Sequence, residues 1–125
     1  MKYLCICHYE TRKYEALTPE DLEELGKECA PHDAALHGSG HLDLVGSLAL
    51  PSESRTIRPG ESGPRVTPGP YAQTPEPFGA FFVIEARDLD EAVAVASNHP
   101  GAHLGRFLGG GIEVRPIESF ERPGK

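Results

Sequence analysis

Apolar and polar positions alternate at the start of the chain. Tyr3, Cys5, Cys7 and Tyr9 point one way, and Leu4, Ile6 and His8 the other, the period of a β-strand with both faces partly covered. The period then lengthens. Leu22, Leu25, Cys29, His32 and Leu36 follow at steps of 3, 4, 3 and 4, which draws one stripe along a helix. Thr18-Pro19-Glu20-Asp21 predicts its start. Thr18 can cap free N–H groups, Pro19 loses no hydrogen bond at the first helical position, and the two acids favour the positive end of the helix dipole. Pro31 lies inside the stripe and is expected to kink the helix or break it near Ala30. Gly38 and Gly40 end it.

Residues 41–50 read as a second strand, with Leu42, Leu44, Gly46 and Leu48 on one face. Residues 54–58 and 64–67 flank Pro59-Gly60-Glu61-Ser62-Gly63 and predict an exposed hairpin. Residues 68–77 carry four prolines and make a rigid loop. Phe78–Glu85 is apolar on both faces and is expected to be a central strand. Asp88-Leu89-Asp90-Glu91 is a capping box before a second helix, which Pro100 stops. Residues 111–117 alternate again and give the last strand.

The order is strand, helix, strand, hairpin, strand, helix, strand. It predicts an α+β sandwich: a mostly antiparallel sheet with two main helices on one face. The other face needs a cover, and in so short a chain a second copy of the sheet is the economical one. A single domain is expected over residues 1–118, with residues 51–77 a Pro/Gly-rich hairpin and loop insertion and residues 119–125 a frayed tail.

Composition narrows the classes. The 125 residues carry a formal net charge of −7, which argues against nucleic-acid binding. Three cysteines, Cys5, Cys7 and Cys29, suit a reduced thiol set better than a disulfide framework. No run approaches the roughly 20 apolar residues that span a bilayer, and no secretory leader is evident, so a cytoplasmic location without membrane contact is expected.

Several segments together carry a family resemblance. Met1-Lys2-Tyr3-Leu4 resembles the opening strand of the YCII-related proteins, Leu17–Leu22 their helix entry, and Gly40-His41-Leu42 the turn from helix to strand. Pro68-Gly69-Pro70-Tyr71 and Phe78–Phe82 are similar to the Asp-Gly-Pro-Phe turn and aromatic strand of the family's DGPF branch. Asp88–Ala92 and Gly111–Ile117 look like its second helix start and closing strand. The resemblance implies a ferredoxin-like, dimeric α+β barrel with a cleft between sheet and helices. Some members are taken to be enzymes using a His/Asp pair, and some genes of the branch sit beside extracytoplasmic-function sigma factors. This chain departs from the pattern at Pro68, where the turn has lost its acid. Asp33, Asp43 and Glu85 are the candidates to replace it.

Counting from Gly40, the family's helix histidine falls near Cys29, with His32 one turn on; the acid before the second-helix proline falls on His99. An imidazole titrates near neutrality and serves proton transfer when a partner orients it. His32, His99 and Asp33 are therefore the candidate acid/base groups. Cys29, Tyr71, Arg55 and Arg65 are the candidate ligand contacts, the arginines as clamps for an anion. No metal site is expected, because Gly or Pro interrupts both histidine pairs and the cysteine spacing is wrong. No cofactor is expected either: Gly109-Gly110-Gly111 precedes no helix and is no phosphate loop. The expected function is a small-molecule-binding homodimer, an isomerase- or lyase-type enzyme using histidine acid/base chemistry. The alternative is a non-catalytic sensor or accessory protein tied to sigma-factor regulation.

Overall fold

A computed structural model describes residues 1–124; Lys125, the end of the expected tail, lies outside them. Six strands form two sheets. The larger has the antiparallel order β2 (Leu42–Ser47), β5 (Phe78–Glu85), β1 (Lys2–His8), β6 (Gly111–Pro116). The smaller is the hairpin of β3 (Arg55–Gly60) and β4 (Gly63–Pro68). The helices are α1 (Thr11–Glu15), α2 (Pro19–His37), α3 (Leu89–Ala96) and α4 (Gly105–Leu108), with 3-10 turns at Pro51–Glu53 and Pro100–Ala102. This is the ferredoxin-like arrangement, with the hairpin inserted between β2 and β5.

The alternation along β1 sets the layers. Tyr3 pairs with Ile84, Cys5 with Phe82 and Cys7 with Ala80, so these side chains share one face. Leu36 of α2 and Ala92, Val95 and Ala96 of α3 close over them as the main core. Burying Phe82 or Ile84 contributes roughly 2–3 kcal/mol each. A second cluster joins Leu25 of α2 to Leu104, Phe107 and Leu108. Helix α2 thus bridges both cores.

Both helix starts are capped as expected. Asp21 N–H donates to Thr18 Oγ1 and Thr18 N–H to Asp21 Oδ2, each at 3.0 Å. Glu91 N–H donates to Asp88 Oδ1 at 2.9 Å, while Glu91 reaches back one residue further, to Arg87 N–H, at 3.0 Å. Pro31 does not break α2, which runs unbroken to His37. Buried anchors stand on both sides of it, Leu25 and Leu36, and hold the helix across the missing hydrogen bond. Leu22 does not join the stripe; it is 44% exposed.

A bulge corrects the reading of β2. Leu42 pairs with Ile84 but Leu44 with the adjacent Val83, so Asp43 is the extra residue. Leu42 therefore packs on the core and Leu44 turns to the opposite face, with Gly46. That face also carries Leu4, Ile6, Phe81 and Val83. The Phe81 ring lies across Gly46, where a Cβ would stand 2.4 Å from its Cζ. In the described part of the tail, Lys2 lies 5.1 Å from the centre of the Phe120 ring, and Arg122 reaches Asp43 at 3.3 Å.

Candidate functional site

Between α2 and the start of β5 lies a cleft of about 660 Å³. Helix α2 contributes Leu25, Cys29 and Asp33, at i, i+4 and i+8, along one line of the helix. The chain leaving β1 contributes Tyr9, and α1 contributes Tyr14 and Glu15. The connection from β2 to β3 contributes Leu48–Pro51 and Glu53, and β5 contributes Phe78 and Gly79. His99 and Pro100, beyond α3, close one end. Gly79 is required where it is: a Cβ there would sit 2.8 Å from Cδ2 of Tyr9, so the tyrosine ring passes over bare backbone.

His99 is tightly held. Its ring stacks on Phe82, with centroids 4.9 Å apart and planes 7° from parallel. The N–H of Gly101 donates to its Nδ1 at 2.9 Å, and its Nε2 lies 3.9 Å from Cys7 Sγ. Because a backbone N–H can only donate, Nδ1 accepts, and the neutral ring carries its proton on Nε2. Burial lowers the affinity of this imidazole for a second proton, and the negative charge of Asp33 pulls partly the other way. Among the described residues no carboxylate hydrogen-bonds to His99 or His32, so a directly bonded His/Asp pair is absent.

The cysteines are poor nucleophiles here. Burial pushes the Cys5 thiol up to about 12 and Cys7 up to about 11. Cys29, on the cleft wall, is raised by burial, then by the charges of Asp33 and Glu28. Tyr9 is raised as well, chiefly by burial, and Asp33 is one of the charges it faces.

The structure brings together Asp33, Cys29 and His99 and leaves the other candidates elsewhere. His32 does not line the cleft. It stacks on His103, with centroids 4.3 Å apart and planes 11° from parallel, and so ties α2 to the turn after α3. Arg55 and Tyr71 line a neighbouring groove with His8, Thr56 and Ile57, on the far side of the Leu48–Pro51 segment. Tyr71 is 71% exposed and packs under the Arg58 guanidinium, 4.2 Å away. Arg65 stands at the hairpin tip, in neither cleft. Of the acids expected to replace the one lost at Pro68, Asp43 pairs with Lys2 at 2.8 Å and Glu85 with the N-terminus at 3.5 Å; Asp33 alone faces the cleft. The Pro68-Gly69-Pro70 turn serves the hairpin: Thr56 Oγ1 donates to Gly69 O at 2.8 Å, and Gly69 N–H to Ser54 O at 2.9 Å.

Sequence reasoning missed Tyr14, Glu15, Glu53 and Phe78 as cleft residues. The alternation of β1 signalled that Tyr9 turns inward, but nothing marked where it leads. Among the described residues no group of three or more His, Cys, Asp or Glu side chains could hold a metal ion, and no helix is long and apolar enough to cross a membrane.

Comparison with known proteins extends these observations. The family model for the YCII-related domain matches residues 1–121. An uncharacterised protein of Rhizobium meliloti (strain 1021) is 26% identical over 125 residues, covering 100% of this chain and 98% of its own. A solved structure of 5-chloro-2-hydroxyhydroquinone dehydrochlorinase (TftG) from Burkholderia phenoliruptrix AC1100, in complex with 2,5-dihydroxybenzoquinone, is similar at a TM-score of 0.48 and 18% identity, over 94% of each chain.

Proposed function

We propose that this chain, which belongs to the YCII-related family, works as a cytoplasmic homodimer whose cleft binds a small organic molecule and moves a proton on it. One observation carries the reading. Asp33 and His99, 66 positions apart (99 − 33), line the same largely apolar cleft of about 660 Å³, the size that takes a small ligand. The two groups suit opposite roles. Asp33 offers a carboxylate that can accept a proton; His99 carries its proton on Nε2, 3.9 Å from Cys7 Sγ, and donates to the atom where charge develops by exchanging that long contact for the ligand. That division fits isomerase- or lyase-type chemistry. It differs from a histidine base, because Gly101 already occupies the Nδ1 lone pair.

A second reading is favoured by the same bond. A histidine whose acceptor nitrogen is committed, with no carboxylate bonded to it, can bind without reacting, as a sensor or accessory protein of sigma-factor regulation would. One experiment separates the two. Metabolites that raise the melting temperature are incubated with the protein in D2O, and exchange at ligand C–H positions is followed by proton NMR. Exchange lost in Asp33→Asn supports the enzyme. Binding without exchange supports the sensor. A ligand whose stabilising effect is the same in wild type, Asp33→Asn and His99→Gln overturns the assignment of the cleft.

A further inference from the structure

We propose that the cleft selects its ligand by charge: it takes an aromatic or comparably flat apolar molecule bearing an amine, accepts the neutral counterpart more weakly, and turns carboxylates and phosphates away. The inference rests on the reading of this cleft as the binding site and adds the chemical class of what enters it.

Three carboxylates, Glu15, Asp33 and Glu53, reach the cleft from α1, α2 and the turn before β3, while among the described residues no Lys or Arg lines it. None of the three takes part in an ion pair among the described residues. The cations near the cleft lie on other partners or other grooves: Arg12 of α1 lines a separate groove with Glu10 and Gln73. Lys13 Nζ donates to Gly105 O at 3.2 Å, and Arg106 holds Glu24 and Glu28, each at 2.8 Å. Arg55 lies in the neighbouring groove, where its guanidinium donates to Ser54 O at 3.1 Å. The remaining walls are apolar and aromatic, with Tyr9, Tyr14 and Phe78 offering ring surface. An ammonium group meets attraction from both the carboxylates and the aromatic faces. An anion meets repulsion from all three acids and finds no cation to desolvate against. Asp33 is itself exposed, and it lines the cleft beside Cys29, four residues before it on α2, together with Tyr9 and His99. The net charge of −7 adds a long-range bias of the same sign.

A matched trio tests this: 3-phenylpropylamine, 3-phenylpropanol and 3-phenylpropanoate, titrated at millimolar concentration into 15N-labelled protein. The amides of Gly79 and Leu108, at the cleft, report binding in two-dimensional NMR spectra. The amine is expected to bind roughly five- to tenfold more tightly than the alcohol at low salt, and the acid more weakly than either. The preference should shrink as salt screens it. In the triple variant Glu15→Gln, Asp33→Asn, Glu53→Gln the amine should fall to the level of the alcohol, while the alcohol shifts persist. The dispersion of the variant's own spectrum shows whether it is folded; should it unfold, Glu53→Gln alone must still reduce the amine preference. An acid that binds as well as the amine overturns the charge selection, as does a preference that survives the substitutions. If the alcohol shifts the cleft amides but no preference follows charge, the cleft stands and this inference falls. If none of the three shifts them, both fall.

Discussion

The N–H of Gly101 donates to Nδ1 of His99 at 2.9 Å and thereby decides which tautomer faces the cleft. Pro100 makes this possible. It opens the 3-10 turn that swings the Gly101 amide back over the preceding side chain, so that His99 caps the turn that follows it. The same bond links His99 to stability. A second proton would have to go to Nδ1, where it would meet the donor already there.

The first prediction follows from that linkage. Burial holds the His99 pKa below its ordinary 6.5, so the unfolded chain takes up a proton before the folded one does. The stability contributed by the neutral ring is full above pH 6.5 and is lost as pH falls below it toward the folded value. Wild type should therefore lose more melting temperature between pH 7 and pH 5 than His99→Phe, which keeps the stack on Phe82 but cannot titrate. Equal losses in the two proteins would rule out His99 as the group responsible.

The second prediction concerns the sheet face turned away from the helices. Ile6, Phe81 and Leu44 share it, Leu44 is 38% exposed, and the bulge at Asp43 adds Leu44 to the set. We expect a second copy to cover it, burying at least about 1,000 Å² in total. Sedimentation at micromolar concentration should show a dimer. Ile6→Asp and Phe81→Asp, each placing a charge in the middle of that contact, should shift it to monomer with the core intact. A wild type that sediments as a monomer would end the proposal.

What the sequence made legible, and what it hid, follows from the length and strength of each signal. The alternation from Tyr3 to Tyr9, the caps at Thr18 and Asp88 and the doubly apolar run from Phe78 to Glu85 are local, repeated signals, and the elements follow them. Helices α1 and α4, of five and four residues, are shorter than the window in which a helical period shows. The bulge at Asp43 is silent because both residues flanking it are leucine, so either face looks equally apolar. Of the two neighbours His32 and Asp33, both candidates from the sequence, only Asp33 lines the cleft. The apolar stripe through Leu25 and Cys29 continues to His32, whereas the line that reaches the cleft continues at i+4, to Asp33. A step of 3 and a step of 4 both satisfy an amphipathic pattern, and they differ by about 100° around the helix axis. Only the position of the second wall, with His99 in it, decides between them.

The last prediction tests where that step leaves His32. Its ring lies 4.3 Å from that of His103, nearly parallel, and the His103 Nε2 in turn lies 2.6 Å from Ser97 O. The pair joins the middle of α2 to the segment that carries His99, and neither ring lines the cleft. Such a contact holds elements together. An aromatic pair contributes about 0.5–1.5 kcal/mol beyond the area it buries. His32→Ala should accordingly lower the melting temperature by roughly 3–6 °C in a domain of this size. His32→Phe should recover most of the loss, since a flat ring suffices for stacking. A double-mutant cycle with His103→Ala should show coupling, because each single change removes the same contact. Ligand shifts at Gly79 and Leu108 should be unaltered in His32→Ala. A His32→Ala protein that keeps its melting temperature but loses the ligand response would return His32 to the site and displace Asp33 from it.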